Sequence, residues 1–434
     1  MVYSQWYYYE PLTIDHVLTS VQVCDARMLP PALLLVTIKK MISVQEAQEL
    51  ITASVTPLAP VHCSLSNAAG KVLAAAVFAT VNIPAWPQSS MDGYAFAFKD
   101  LQQGKPLQVT TTIAAGSNNT IALEAGTAAR IFTGAPIPNG ADTVVMQEKT
   151  SITGTDLIIT DETIRQGLNV RLCGSEIIAG ELAMSAGTLL VPAAIGFLAG
   201  IGVNEVMVYP QPSVSIIVTG NELQAPGTIL EKGQVYESNS YQLAAALQQL
   251  QLHTITIYEA ADNLETVTNI LNTALAQSDV VLLTGGVSVG DYDFVVAAAN
   301  KAGVKQVFHK IKQKPGKPLF FGTKGHQLVF GLPGNPGSVL TCFYEYVEMA
   351  LRQMAHNSSC IKKIKVPMQV AYKKNAGLTH FLKGWYNIQA VMPLQAQESY
   401  RLRSFANANC LIKIEEDITF CTEGDFVEIH LLPV

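Results

Sequence analysis

Four short apolar runs in the middle of the chain each lead into a loop of small and polar residues. The runs cover residues 215–218, 254–257, 280–283 and 328–330, and the loops include TGNELQAPG, TGGVSVGDYD and GLPGNPGS. Continuous apolar runs of this length are typical of strands in a parallel sheet that is covered on both faces. Because the carboxyl ends of such strands meet at one edge of the sheet, we expect the loops to gather in one ligand-binding crevice.

The pattern predicts further domains on both sides of this region. From residue 41, MISVQEAQELI places Ser43 three residues before Glu46, a capping box that opens an amphipathic helix. Residues 77–174 are rich in Thr, Val, Ile and Gly and predict the short strands of an inserted domain. After residue 360, alternating segments that end in FVEIHLL predict a small β domain.

Two segments raise the question of a membrane. Residues 183–204 contain no charged side chain, but their Gly and Pro residues favour a buried or interface helix over a membrane span. Residues 1–40 lack a basic amino end before their short apolar run, so they do not resemble a signal peptide. We expect the functional protein to begin near residue 41, and either a start site assigned too far upstream or an anchor explains the extension.

Composition narrows the class of protein. A chain of 434 residues exceeds what one hydrophobic core usually supports, so about three domains are expected. Only 14% of residues are charged, which favours extensive burial or a subunit interface, and we expect an oligomer. A net charge of −6 without a basic and aromatic stripe argues against a nucleic-acid partner. Seven cysteines without a C-x-x-C pair indicate neither a zinc site nor a disulfide framework, and favour the cytoplasm.

The loops carry groups suited to a phosphorylated ligand. Glycines at 285, 286 and 290 let backbone N–H groups approach a phosphate, and the following helix adds a positive dipole end. Carboxylates beside such an anion are unfavourable unless a hard cation lies between them. The loop carboxylates Glu222, Asp262 and Asp293 therefore predict a Mg²⁺ site.

A lysine-rich segment, HKIKQKPGKP, follows the third loop. Its Lys310, Lys314 and Lys317 are point charges suited to phosphate or another oxyanion. Taken alone, such a segment is more often a solvated surface. Its coincidence with the three other loops favours a metal-assisted site.

Several of these features also have a purely structural explanation. A glycine-rich strand-to-helix loop is often only a tight connection. Asp262 stands just before a predicted helix, where a helix N-cap explains it as well as a ligand role does. In the inserted domain, Asp92 and Thr133 lie in small-residue loops that turn geometry alone also explains.

The chain closely resembles the MoeA-type molybdopterin molybdenumtransferases, which are related to the E domain of gephyrin. The resemblance covers residues 41–434 and depends on six motifs in order: SSMDGYA, RIFTGAPIPNGADTVV, TGNELQAPG, GGVSVGDYD, KPGKP and GLPGNPGS. It implies an enzyme that inserts molybdenum from molybdate into adenylylated molybdopterin with Mg²⁺, releasing AMP and molybdenum cofactor. It also implies a homodimer, with molybdopterin adenylyltransferase as the upstream partner and no membrane association.

The fold implied by this resemblance is α/β and multidomain. An α/β/α sandwich forms the substrate domain, accompanied by an inserted mixed β domain, a C-terminal small β-barrel domain and a helical N-terminal linker and dimer domain. The expected bounds, in the same order, are 207–360, 77–177, 361–434, and 41–76 together with 178–206. Residues 1–40 fall outside the resemblance.

The resemblance also assigns roles to matching positions. The catalytic group would be Asp92, Thr133, Glu222, Asp262 and Asp293, with the last three around the metal. The residues that bind the pterin nucleotide or the oxyanion would be Thr284, Gly285, Gly286, Ser288, Gly290, Lys310, Lys314, Lys317, Pro333, Pro336, Ser338, Arg171, Glu176, Lys383 and Ser404. In this family the inserted domain reaches the cleft of the dimer partner, so Asp92, Thr133, Arg171 and Glu176 would act in trans. Lys383 and Ser404 would face the same opening from the last domain.

The chain departs from the family pattern at several of these positions. Asn221 stands where an Asp is usual, Ser175 replaces an acid beside Glu176, Glu237 replaces an Asp, and Lys383 stands where an Arg is common. These changes bear on metal geometry and anion binding more than on the reaction. Two other functions fit parts of the pattern: a molybdopterin adenylyltransferase, whose single domain resembles residues 209–360, and a non-catalytic gephyrin-like scaffold.

Overall fold

The structure is a computed structural model that describes residues 41–102, 105–117, 121–286, 294–358 and 361–433. At its centre is a six-stranded sheet. The strands are β1 (Val214–Thr219), β2 (Ile255–Ala260), β3 (Val280–Thr284), β4 (Lys305–Lys310), β5 (Pro318–Lys324) and β6 (Gln327–Leu332). Their order across the sheet is β2-β1-β3-β6-β5-β4.

The four apolar runs are neighbours in this sheet. Strands β2, β1, β3 and β6 are all parallel, which confirms the prediction made from their pattern. Strand β5 runs antiparallel to both β6 and β4. Every residue of β1 and β3 is buried, as expected for parallel strands that are covered on both faces.

Helices cover the two faces of the sheet with separate cores. On one face, β1 packs through Ile216 against Leu243 and Leu247 of helix Asn239–Gln249. On the other face, β3 packs through Leu283 against Leu271 of helix Leu264–Gln277. The described α-helices of the chain are Val44–Ser54, Pro192–Gly200, Asn239–Gln249, Leu264–Gln277, Phe294–Lys301, Pro336–Cys342, Glu348–Met354 and Leu402–Ala406. A π-helical turn, Phe343–Val347, joins two of them into one rod over 336–354.

The inserted region forms its own six-stranded sheet. In sheet order its strands are Thr143–Met146, Gly93–Phe96, Thr127–Ile131, Leu107–Ile113, Asp156–Ile159 and Thr150–Thr153. The chain enters and leaves through an antiparallel pair, Val77–Phe78 with Leu182–Met184. A second pair joins Gln88–Ser89 to Val170–Arg171.

The amino-terminal part is built on one helix and one small sheet. Helix Val44–Ser54 carries the predicted capping box, with both the Ser43 and the Glu46 side-chain bonds present. The sheet contains Val61–Ser64, Glu205–Tyr209 and Val72–Leu73. The uncharged stretch 183–204 yields helix Pro192–Gly200, in which only Ala194 and Leu198 are buried. Among the helices that the structure describes, none has the length and apolar character needed to cross a membrane.

The last region is a sheet that includes a strand from the lysine-rich segment. In order, its strands are Gln313–Lys314, Thr379–Tyr386, Cys410–Ile414, Phe426–Leu431 and Lys363–Pro367. The predicted FVEIHLL strand is therefore confirmed. Shorter pairs in this region join Val391–Pro393 to Thr379–Tyr386 and Tyr372–Lys373 to Phe420–Cys421. A further short pair, Leu223–Gln224 with Val235–Tyr236, lies in the segment that follows β1. Because Gln313–Lys314 forms an edge of this sheet, the lysine-rich segment links it to the central domain.

Candidate functional site

A cleft of about 870 Å³ lies where the loops after β1 and β6 meet the lysine-rich segment and a loop of the last domain. Six of the predicted site residues line it: Glu222, Lys314, Lys317, Pro333, Pro336 and Ser338. The last domain contributes residues 397–400 to the opposite wall. Sequence-distant loops are therefore brought together as their position after parallel strands predicts.

The loop after β6 is held against the last domain by one side-chain and one backbone hydrogen bond. The Asn335 side-chain amide donates to the Ser399 hydroxyl at 3.0 Å, and the Gly337 N–H donates to the Ser399 carbonyl at 2.8 Å. A Cβ on Gly337 would lie 2.7 Å from that carbonyl oxygen, so only glycine permits this approach. Ser338, which follows, is buried at the foot of the cleft.

The charges around the cleft are mixed. Its lining includes the exposed ammonium groups of Lys314 and Lys317, and also the carboxylates of Glu222, Glu237 and Glu398. Glu237 accepts from the Ser240 N–H at 2.8 Å and from its hydroxyl, which places the carboxylate over the start of helix Asn239–Gln249. The two lysines suit an oxyanion, whereas the carboxylates suit a hard cation.

The loops after β1 and β2 are joined by a reciprocal pair of hydrogen bonds. The Asn221 N–H donates to the Asp262 carboxylate at 3.2 Å, and the Asp262 N–H donates to the Asn221 side-chain oxygen at 3.2 Å. The N-cap of helix Leu264–Gln277 is Asn263, whose side chain accepts from the Thr266 N–H. The N-cap explanation of Asp262 is therefore wrong. This carboxylate instead contacts the residue next to Glu222.

The loop after β3 begins with a tight backbone approach. The Thr219 hydroxyl donates to the Thr284 carbonyl at 3.3 Å, and Gly285 follows with φ of +88°. A Cβ on Gly285 would lie 2.5 Å from the Thr219 carbonyl oxygen. The buried Thr284 hydroxyl has no hydrogen-bond partner within the described parts of the chain. Gly286 ends the described part of this loop, and Ser288, Gly290 and Asp293 lie outside the described residues.

Lys383 is placed differently from what the sequence predicted. It is only 4% exposed and does not line the cleft. Its ammonium group donates to the carbonyls of Ala396 at 2.7 Å, Glu398 at 3.2 Å and Arg401 at 3.2 Å. Burial lowers the pKa of this amine. The prediction that Lys383 faces the opening is thus corrected: its side chain is used to fold the loop that forms the cleft wall.

Ser404 and Lys310 also lie away from the lining of the cleft. Ser404 lines another depression, which shares Tyr400 with the cleft, and its hydroxyl donates to the Ala396 carbonyl at 2.7 Å. Lys310 ends β4 and is half-buried, and its carbonyl accepts from the Ile42 N–H at 3.1 Å. Ser404 therefore does not line the opening that it was expected to face, and Lys310, expected to hold an oxyanion, is not among the residues that line the cleft of this chain.

The inserted domain carries a second small cluster. Asp92 accepts from the Thr133 N–H at 2.7 Å and from the Thr133 hydroxyl at 2.8 Å. These bonds, the backbone one first, lower the pKa of the Asp92 carboxyl, and the nearby Arg130 acts in the same direction. Arg171 and Glu176 are exposed. None of the four predicted residues of this domain lines the cleft of its own chain.

Sequence reasoning missed several residues of the cleft. Gln313, Asn335, Glu398, Ser399 and Tyr400 all line it. The segment QESY has no glycine, metal-ligand spacing or strand pattern that marks it as a site. Asn335 lies inside the GLPGNPGS motif and Gln313 inside the lysine-rich segment HKIKQKPGKP, so those two patterns were the signals available.

Of the three predicted metal ligands, Glu222 and Asp262 lie in the described part of the chain. One is the exposed carboxylate of Glu222, and the other is Asp262, one of whose oxygens accepts from Asn221. In the described residues, no group of three or more His, Cys, Asp or Glu side chains is arranged to hold a metal ion. Hard carboxylate oxygens fit Mg²⁺, which commonly keeps water and phosphate oxygens as its other ligands.

The fold and the cleft together define a multidomain α/β protein with a polar ligand cleft at the carboxyl ends of a parallel sheet. Three family models match the chain: the MoeA N-terminal region (domain I and II) over residues 42–202, a probable molybdopterin binding domain over 215–353, and the MoeA C-terminal region (domain IV) over 365–432. The chain belongs to the MoeA family.

Similar proteins cover nearly all of the matched region. The molybdopterin molybdenumtransferase of Haemophilus influenzae is 33% identical over 86% of this chain and 94% of its own length. The protein of the same name from a Nostoc species is 34% identical over 84% and 87%. A solved structure of the molybdopterin biosynthesis MoeA protein from Pyrococcus horikoshii is 27% identical, covers 90% of this chain and 99% of that one, and has a TM-score of 0.76.

Proposed function

We propose that this protein is a molybdopterin molybdenumtransferase, which inserts molybdenum from molybdate into adenylylated molybdopterin and releases AMP. The observation that carries the proposal is the cleft in which Lys314, Lys317 and Ser338 lie beside Glu222. Family matches on both sides of the central domain favour this activity over that of a single-domain molybdopterin adenylyltransferase. Such an adenylyltransferase would instead act upstream and supply the substrate. We propose that this protein acts in the cytoplasm.

The residues of the cleft divide the work of binding. The ammonium groups of Lys314 and Lys317 attract and orient molybdate as point charges. The buried Ser338 hydroxyl and the glycine-rich start of the loop after β3 provide donors for anionic oxygens. Two substrates held in adjacent parts of one cleft react as if at high effective concentration.

Magnesium dependence is part of the proposal. Glu222, Asp262 and Asp293 would hold the ion. When bound, Mg²⁺ would neutralise charge on the phosphoanhydride that links AMP to the pterin. The reciprocal Asn221–Asp262 bonds keep the Asp262 carboxylate beside the Glu222 loop, so the Asn221 departure leaves this part of the arrangement in place.

A homodimer is also proposed, with Asp92, Thr133, Arg171 and Glu176 reaching the cleft of the partner. Apolar side chains exposed near the amino-terminal domain support an interface there: Phe78, Trp86, Leu172, Ile178, Leu182 and Val191. Helix Pro192–Gly200 contains no charged residue, yet most of its surface is exposed. An exposed apolar surface of this kind is typical of an interaction site.

The direct test uses the purified protein with adenylylated molybdopterin, Mg²⁺ and molybdate, without ATP. We expect AMP and molybdenum-loaded pterin as products, and neither product when molybdate or Mg²⁺ is omitted. An Asp293→Ala variant should fold normally and release no AMP. Normal turnover by that variant would refute the metal role, whereas a requirement for ATP would indicate the adenylyltransferase instead.

A further inference from the structure

The turn that carries Lys314 and Lys317 has little backbone freedom. Gly316, between the two lysines, has φ of +89°. A Cβ at this position would lie 2.6 Å from the Cys342 Sγ and 2.7 Å from the Gln313 side-chain nitrogen. The turn is therefore packed directly onto Gln313 and onto the helix that begins after β6.

Gln313 satisfies the carbonyls of this turn. Its side chain is fully buried, and its amide nitrogen donates to the carbonyls of Pro315 at 3.0 Å and Gly316 at 3.2 Å. These two carbonyls lie between Lys314 and Lys317. One side chain thus sets the path of the backbone from which both ammonium groups of the cleft extend.

The side-chain oxygen of Gln313 accepts a hydrogen bond from the Tyr346 hydroxyl. Tyr346 is fully buried in the π-helical turn Phe343–Val347. Burial raises its pKa well above the ordinary value, so the phenol keeps its proton as a donor. Single π-turns inside helices occur frequently at functional sites.

The π-helical turn Phe343–Val347 is also held by a contact with the last domain. Glu345, next to Tyr346, is buried with its carboxylate 2.6 Å from the Nδ1 of His430. His430 lies on strand Phe426–Leu431 of the last domain. The turn therefore contacts the last domain through Glu345 and the lysine-bearing turn through Tyr346.

We propose that Tyr346 and Gln313 form a buried relay that positions Lys314 and Lys317 for the oxyanion substrate. Tyr346 orients the Gln313 amide, and the amide holds the two carbonyls that direct the lysine backbone. Both are positioning residues, since their polar atoms are engaged with each other and with the turn. The inference rests on the proposed function for the identity of the oxyanion, molybdate.

The test compares two variants that each remove one hydroxyl from the same turn. Tyr346→Phe removes the hydroxyl that donates to Gln313. Tyr344→Phe is the matched control, because the Tyr344 ring packs near Phe405 and, among the described contacts, has no hydrogen bond to the lysine-bearing turn. With adenylylated molybdopterin saturating, Tyr346→Phe should raise the KM for molybdate roughly fivefold, the effect of losing one hydrogen bond. The kcat and the KM for the pterin nucleotide should be unchanged. Tyr344→Phe should leave all three values unchanged.

A double-mutant cycle tests whether Tyr346 acts through Gln313. Gln313→Met keeps the volume and loses the amide, so it should raise the KM for molybdate at least as much as Tyr346→Phe. The double variant should match Gln313→Met alone. Independent, additive effects of the two substitutions would overturn the relay, as would an unchanged molybdate KM in Tyr346→Phe.

Failure of the proposed function is separable from failure of the relay. A wild-type protein without molybdate-dependent AMP release would refute the function. In that case hydrogen exchange of residues 311–318 decides the relay without any substrate. Faster exchange in Tyr346→Phe than in Tyr344→Phe supports it, whereas equal exchange overturns it.

Discussion

At the scale of single residues, Lys317 provides the simplest test of charge in the cleft. It is exposed and lines the cleft, so Lys317→Ala should remove a charge-assisted contact with molybdate. We expect the KM for molybdate to rise by about tenfold, equivalent to roughly 1.4 kcal/mol, with little change in stability. Lys305→Ala is the control, because Lys305 is an exposed lysine at the start of β4 and does not line the cleft. An equal rise in both variants would indicate a general effect of net charge.

Asp92 predicts a pH dependence of stability. Its pKa is lowered in the folded protein, chiefly by the Thr133 N–H. The carboxylate therefore stabilises the fold above its unfolded pKa of about 3.9, and this contribution is lost as the pH falls through the lower folded value. Asp92→Asn should be less stable than wild type at pH 7. The difference in urea midpoint should shrink when the pH is lowered to about 3.5, and a constant difference would contradict the assignment.

Position in the cleft could be predicted where local pattern places a residue. Glu222, Lys314, Lys317 and Ser338 line the cleft, as the loops and the lysine-rich segment that carry them predict, and their roles there stay predictions. Lys383 shows the limit of this reasoning. Its position in a strand is predictable, but the three carbonyls that its amine bonds belong to a loop that begins thirteen residues later.

At the scale of elements, the junction of β1 and β3 depends on Gly285. Its positive φ and the 2.5 Å approach of a Cβ to the Thr219 carbonyl make any side chain costly. Gly285→Ala should lower the free energy of unfolding, measured in urea, by about 1–3 kcal/mol more than Gly325→Ala. Gly325 also has a positive φ, but its Cβ would meet nothing within 4 Å, so it isolates the steric term. Equal losses would mean that the strands move apart without cost.

Four of the six strands of the central sheet were predictable from pattern. The apolar runs of β1, β2, β3 and β6 predicted parallel strands, and their pairing confirms this prediction.

The uncharged stretch 183–204, which lies outside the central domain, was harder to predict. It divides between the end of strand Leu182–Met184 and the nine-residue helix Pro192–Gly200, because Gly187 and Pro192 interrupt the apolar run. The π-helical turn Phe343–Val347 was not predictable, since no residue type marks it.

At the scale of the whole molecule, the proposed dimer predicts complementation between two inactive variants. If the inserted domain acts in trans, Asp92→Asn and Glu222→Gln homodimers should each have very low activity. A mixed dimer would contain one intact site, formed by Glu222 of one chain and Asp92 of the other. Random exchange at equal concentrations makes about half of the dimers mixed, and each mixed dimer has one of its two sites intact. We therefore expect about a quarter of the wild-type activity. The measurement is AMP release after subunit exchange.

The complementation result separates two arrangements. Exchange can be verified independently by mixing differently tagged chains and isolating the mixed species. Mixed dimers that form but remain inactive would show that Asp92 and Glu222 act in the same chain's site, whereas an active Asp92→Asn homodimer would show that Asp92 is not needed. Asp92 does not line the cleft of its own chain, as the proposed arrangement in trans requires.

The sequence by itself determined the four parallel strands of the central sheet, the gathering of their loops at one edge and the charged groups in those loops. These are local properties, set by apolar runs and by the residues that follow them. Only the tertiary structure decided that Asp262 bonds Asn221, that Lys383 is buried beneath a loop and that Tyr346 holds the lysine turn through Gln313. Each of these contacts joins residues that are distant along the chain, and the direction of a side chain depends on packing that no local pattern specifies.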